Sequence, residues 1–122
     1  MVEIRLFGEV GADDAGRPID VGPARCKALL AALALSAGVP VPVSRLVESI
    51  WGERPPRTAE KTLQTYVDRL RKAIGPESIA RVGAAYRLDV DPSAVDVLRF
   101  ERRLDAGDVD GALAEWGGAP LA

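Results

Sequence analysis

The run from Arg57 to Lys72 (RTAEKTLQTYVDRLRK) holds the densest set of side chains able to act on a ligand. At about 100° per residue, Ala59, Leu63, Val67, Leu70 and Ile74 share one apolar stripe, with Tyr66 at its border. Arg57, Thr58, Lys61, Gln64, Thr65, Asp68, Arg69 and Lys72 fall on the opposite face. That face mixes hydrogen-bonding and mostly positive groups, the mixture that reading double-stranded DNA requires. Lys and Arg neutralise phosphates and release counterions, which gives affinity without sequence information. Gln and Thr address base edges, and the Thr methyl can touch a thymine methyl. Asp68 can accept from cytosine or steady Arg69 or Lys72. The free N–H groups at the start of the helix also suit a phosphate. Further along, Arg81 and Arg87 flank a Gly83-Ala84-Ala85 tip, where they can reach backbone or minor groove.

Other chemistries find no support. The chain has 122 residues, no histidine and one cysteine. Triads built on Ser-His or Cys-His, imidazole-bound zinc, disulfide frameworks and four-thiolate metal sites are therefore out of reach. Cys26 sits on an apolar stripe and reads as a buried small hydrophobe. Gly8, Gly11 and Gly16 form no phosphate-binding loop motif. With no nucleophile, no paired carboxylates and no cofactor motif, no enzyme, metal or cofactor is expected. The longest apolar run, Ala28 to Leu35, is far shorter than the ~18 residues of a membrane span. The N-terminus lacks the pattern of a signal peptide, so the sequence reads as cytoplasmic.

Charge supports the DNA reading once it is resolved along the chain. The whole carries −2. Between Val21 and Arg87, however, eleven basic residues face five acidic ones. A basic central module thus lies between acidic ends.

The elements that must position this face follow from pattern. Val2 to Phe7 alternates as a strand, Gly11 to Gly16 has turn chemistry, and Arg17 to Val21 reads as a returning edge strand carrying Pro18. A first helix opens at Pro23, buries Cys26, Leu29, Leu30, Leu33 and Ala37, and stops at Gly38. Val39 to Val43 is an extended link. Ser44 is expected to cap a second helix with Leu46, Val47 and Ile50 inward, ending at Trp51-Gly52. After the stiff loop Glu53-Arg54-Pro55-Pro56-Arg57, Thr58 caps the third helix, which stops at Gly75-Pro76. A hairpin with a three-residue tip follows. Asp96 then caps a helix with Val97, Phe100 and Leu104 inward, and a last short helix carries Leu113 and Trp116, with Phe100 and Trp116 as packing anchors. Trp51 reads as packing rather than contact. The expected fold is α+β: a winged helix-turn-helix with an N-terminal antiparallel sheet, three helices and a C-terminal β-hairpin wing. Residues 1–92 form this domain; residues 93–122 form a short helical segment too small to hold a core alone.

Phe7-Gly8, Arg25 to Leu30, Arg45 to Gly52, Thr62 to Lys72 and Tyr86-Arg87-Leu88 together resemble the Streptomyces antibiotic regulatory protein family. The resemblance covers essentially the whole chain, and the Thr62–Lys72 string with Trp51-Gly52 is its most specific part. It implies an OmpR-type winged helix, akin to the output domain of two-component regulators. It further implies a transcription activator that controls antibiotic biosynthesis, binds direct repeats and recruits RNA polymerase. The third helix would enter the major groove. Glu53, Arg54, Pro55 and Pro56 correspond to the loop that touches polymerase in OmpR-type relatives. Asp96 to Ala122, with Phe100-Glu101 and the closing Gly117 to Ala122, resembles the opening of a helical bacterial transcriptional activation domain. The family continues far beyond these two helices, so the chain reads as a truncated or very short member. Ala85 replaces the glycine the family usually has before the tyrosine. No heptad stripe is present, so a monomer is expected in solution and a head-to-tail pair on DNA. The competing reading is a protein-interaction module that kept the winged-helix scaffold and turns its basic face to an acidic protein.

Overall fold

Val2, Ile4 and Leu6 point inward while Glu3 and Arg5 face solvent, and this alternation makes strand β1, Val2–Arg5. The computed structural model describes residues 2–116, with Trp116 described by its backbone alone. The expected burial of the Trp116 side chain and the 117–122 segment lie outside the described residues.

β1 pairs antiparallel with β2 (Gly11–Asp14), which pairs in turn with β3 (Arg17–Ile19). The run expected as a turn is therefore mostly the central strand. The turn itself is Ala15-Gly16, with φ of 51° and 81°, the mirror-type geometry that suits a two-residue hairpin. Pairing on both sides and burial of Ala12 override the poor strand propensity of Asp13 and Asp14. Pro18 does sit on an edge strand.

Helix α1 (Ala24–Ala34) buries Cys26, Leu29, Leu30 and Leu33, as their spacing predicts. Its end precedes Gly38, whose N–H donates to the Leu88 carbonyl at 2.9 Å. The extended link is more than a connection. Val41–Pro42 is strand β4, pairing Val41 with Tyr86 and Pro42 with Ala85. It completes a three-stranded sheet in the order β4-β6-β5 with β5 (Ile79–Val82) and β6 (Ala85–Leu88).

Helix α2 (Val43–Trp51) starts one residue before the expected cap. Pro42 occupies the cap position and Ser44 caps nothing. The Val43 N–H instead donates to the Ala84 carbonyl at 2.9 Å, so the hairpin tip satisfies one of the orphan groups at the helix start. Leu46 is fully buried, with Val47 and Ile50 packed against the core. Helix α3 (Ala59–Ile74) buries Ala59, Leu63, Val67, Leu70 and Ile74, all five stripe residues. Thr58 stands at its N-cap without a side-chain capping bond. The hairpin tip holds two residues rather than three, because Val82 and Ala85 still pair and only Gly83-Ala84 turn.

Past Leu88 the chain returns to the N-terminal sheet. Val95 is buried and bridges Ile4 in parallel, at the start of α4 (Asp96–Asp105). Val95 takes the cap position, so Asp96 is the first helical residue and serves another purpose. Its carboxylate accepts from the Leu6 N–H at 2.8 Å and the Phe7 N–H at 3.2 Å. Phe100 meets Phe7 edge to face, centroids 5.5 Å apart. Val97 and Phe100 are half-buried, but Leu104 remains 43% exposed. The partner of α4 is the short α5 (Val109–Trp116), with Glu115 bound to Arg99 at 2.9 Å and Arg103 at 3.4 Å, and Leu113 of α5 is exposed as Leu104 is.

Candidate nucleic-acid interface

The apolar stripe seats α3 on the core and turns its other face outward. Arg57, Thr58, Lys61, Gln64, Thr65, Asp68, Arg69 and Lys72 are all exposed. Within that face the contacts define two flanks. Gln64 leans toward the hairpin, where Val43, Glu60, Gln64, Arg81 and Tyr86 meet around a small recess. Arg69 leans the other way: its side chain runs so close to Gly22 that a Cβ there would lie 2.9 Å from Nε. Lys61, Thr65 and Lys72 occupy the middle, at about 160° to 200° from the buried Leu63. The Thr65 hydroxyl donates to the Lys61 carbonyl at 3.3 Å, which orients its methyl.

Asp68 steadies neither Arg69 nor Lys72. It pairs with Arg71 at 3.3 Å, and Arg71 Nε donates to the Ile79 carbonyl at 3.0 Å. Arg71 is half-buried and fastens α3 to β5, so it is spent on the scaffold. Arg69 and Lys72 keep their charges without an ion pair among the described residues.

The two hairpin arginines separate. Arg81 lies opposite Tyr86 in the register and so shares its face, toward α3. Its Nε donates to the Gly83 carbonyl at 2.7 Å, its Nη1 to the Tyr86 hydroxyl at 2.9 Å, and its guanidinium carbon lies 4.9 Å from the Tyr86 ring centroid. Arg87 lies opposite Ala80, on the other face. One edge of its guanidinium is taken by Asp89, Nε donating at 2.5 Å and Nη2 at 3.2 Å. Hydrogen bonding from Arg87 holds the Asp89 carboxyl below the usual carboxylate range and raises Arg87 in turn. The expected joint footprint of Arg81 and Arg87 is thus split, with only Arg81 on the side of α3.

Glu53, Arg54, Pro55 and Pro56 are exposed between α2 and α3, and the Pro56 carbonyl accepts from Ala59 N–H at 3.0 Å. Cys26 is fully buried, and loss of solvent pushes its thiol up. Sequence reasoning missed one arrangement. The Arg25 guanidinium carbon lies 5.9 Å from the Trp51 ring centroid, and Trp51 stacks on Tyr66 of α3 with centroids 6.2 Å apart and planes at 19°. The signal available was Tyr66 at the border of the apolar stripe and Trp51 at a helix end. Among the described residues no helix is long and apolar enough to cross a membrane.

Helices α2 and α3 with the hairpin behind them make a winged helix-turn-helix of the OmpR type, and the second helix of the motif turns an exposed polar face outward. The chain belongs to the family described as transcriptional regulatory protein, C terminal, which matches residues 16–97, and within it to the Streptomyces antibiotic regulatory proteins. DnrI of Streptomyces peucetius, a regulatory protein, is 33% identical over 87% of this chain. RedD of Streptomyces coelicolor, a transcriptional regulator, is 32% identical over 87% of this chain. The solved structure of Mycobacterium tuberculosis EmbR, in complex with a low-affinity phosphopeptide, superposes on 98% of this chain with a TM-score of 0.81 at 27% identity. The chain spans 43% of DnrI, 33% of RedD and 37% of the EmbR chain. These relatives are transcriptional regulators, not enzymes.

Proposed function

We propose that the chain is the sequence-specific DNA-binding part of a transcription activator, with α3 in the major groove. The observation that carries this reading is the exposed α3 face, where Lys61, Arg69 and Lys72, in no ion pair among the described residues, alternate with Gln64 and Thr65. The charges supply phosphate contacts and the amide and hydroxyl supply base readout. Arg57 and Thr58 enter at the start of the helix, Asp68 lies within the readout face between Gln64 and Thr65, and Arg81 extends the footprint to the hairpin. Arg87 contributes less, because Asp89 neutralises it. The exposed Glu53–Pro56 loop is the surface offered to RNA polymerase. Two copies sit head to tail on direct repeats near a promoter. Exposed Glu101, Asp105 and Asp110 of one copy face the basic module of the next.

Binding sites selected from random duplex test this reading. One recovered half-site, two at fixed spacing, and two shifted by half a helical turn are then compared. The account expects the fixed pair to bind more tightly than two independent sites, and the shift to remove that gain. Salt separates the competing module: DNA binding falls steeply with salt and prefers the selected duplex, whereas an acidic-protein module shows no preference among DNA sequences.

A further inference from the structure

Arg25 is exposed, and among the described residues it forms no ion pair. Its neighbour Lys27, by contrast, is tied to Glu9 at 3.0 Å. The guanidinium of Arg25 instead rests over Trp51, within the range of a cation–π contact. Trp51 stacks on Tyr66, and Tyr66 belongs to α3. The ring pair therefore couples a cation on α1 to the helix that carries the readout face. Tyr66 and Arg69 lie on the same flank of α3, opposite Gln64 and Arg81. Arg69 reaches to Gly22, three residues before Arg25. Two arginines without an ion pair among the described residues thus converge on the start of α1, whose first turn holds no acidic residue. Of the nearby carboxylates, Glu9 is paired with Lys27, while the exposed Asp20 accepts the Gly22 N–H at 2.9 Å and keeps its negative charge.

Resting on the DNA reading above, we propose that Arg25 contacts a DNA phosphate on the flank of α3 away from the hairpin, with the Trp51–Tyr66 stack as its platform. An arginine laid on a ring keeps its N–H edge free for phosphate oxygens and has less rotamer freedom to lose. Arg25 belongs to the helix behind the motif, so it meets backbone rather than base edges. With Arg69 it grips one strand bordering the groove, while Arg81 serves the other side.

The test uses the full chain, a selected duplex and a random duplex, with anisotropy titrations from 50 to 200 mM salt. Arg25→Gln is expected to weaken both duplexes by the same factor. Losing one phosphate contact lowers the salt slope by about 0.9, so its penalty shrinks about 3.5-fold across that range. Arg17→Gln, an exposed cation on β3, is the control and leaves the slope unchanged. In a Trp51→Leu background the cost of Arg25→Gln is expected to fall, and an undiminished cost would overturn the platform. A wild-type chain that binds with a steep slope while Arg25→Gln matches Arg17→Gln overturns the inference and leaves the DNA reading intact. A wild-type chain without salt-dependent DNA binding overturns both.

Discussion

Replacing Asp96 by alanine removes the acceptor that ties α4 to the N-terminal sheet. Its carboxylate receives the Leu6 N–H at 2.8 Å, the Phe7 N–H at 3.2 Å and its own helix's Val97 N–H at 2.7 Å, while only 7% exposed. Each N–H left without a partner costs about 1–3 kcal/mol where water cannot reach it. Leu6 and Phe7 are half-buried, so water recovers part of that, and the loss of a negative charge at a helix start adds about 0.3–1 kcal/mol. A total of about 2–4 kcal/mol follows, a large share of the ~5–15 kcal/mol that holds a domain folded. Equilibrium urea unfolding followed by circular dichroism reads this directly. With a slope of about 1–3 kcal/mol per molar, the midpoint should drop by about 1–2 M. Asp96→Asn keeps an oxygen acceptor and should recover roughly half. A midpoint for Asp96→Ala within 0.2 M of wild type would refute the reasoning, because the clamp would then be replaceable by solvent.

Other expectations follow from the same contacts. Phe7→Leu and Phe100→Leu should couple by about 0.5–1.5 kcal/mol in a double-mutant cycle of unfolding energies, the worth of an edge-to-face pair. Leu63→Ala, at a fully buried position beneath the readout face, should cost about 2–5 kcal/mol by the same unfolding assay. The Asp89 carboxyl is held low by Arg87. Its contribution is present above the unfolded value near pH 4 and lost as pH falls through the lower folded value. Arg87→Gln should therefore lower thermal stability slightly at neutral pH, and the difference should shrink as pH falls below the unfolded value and Asp89 becomes protonated in the folded state too. In salt titrations, Arg81→Gln should lower the DNA-binding slope by about 0.9, whereas Arg87→Gln should change it less.

The α3 stripe was legible because one amphipathic period fixes both faces, and Leu63, Val67, Leu70 and Ile74 are interrupted by nothing apolar on the far side. The helix ends at Gly52 and Gly75 were legible from glycines that now show φ of 72° and 125°. What failed depends on partners distant in the chain. Gly11–Asp14 looks like a turn until β1 and β3 pair with it, and Val41–Pro42 looks like a linker until β6 arrives. Ser44 lost its capping role to a carbonyl forty residues away, on Ala84. The assignment of cations was hardest. Asp68 could meet Arg71 or Lys72 by helical spacing, and only the Ile79 carbonyl, which holds Arg71, decides between them. Arg81 and Arg87 are alike in sequence, yet the register puts them on opposite faces.

Base readout by the outward face of α3 is the central claim, and Gln64→Ala and Thr65→Ala, singly and together, test it most directly. Both side chains are exposed and outside the core, so the variants should melt as wild type does. Affinities for the selected duplex, for each single-base variant of it and for random duplex are measured at one fixed salt concentration. The account predicts a loss of about 1–3 kcal/mol on the selected duplex for a base-reading residue, relaxed preference at one base position, and little change on random DNA. Unchanged affinity and unchanged base preference in the double variant would contradict it.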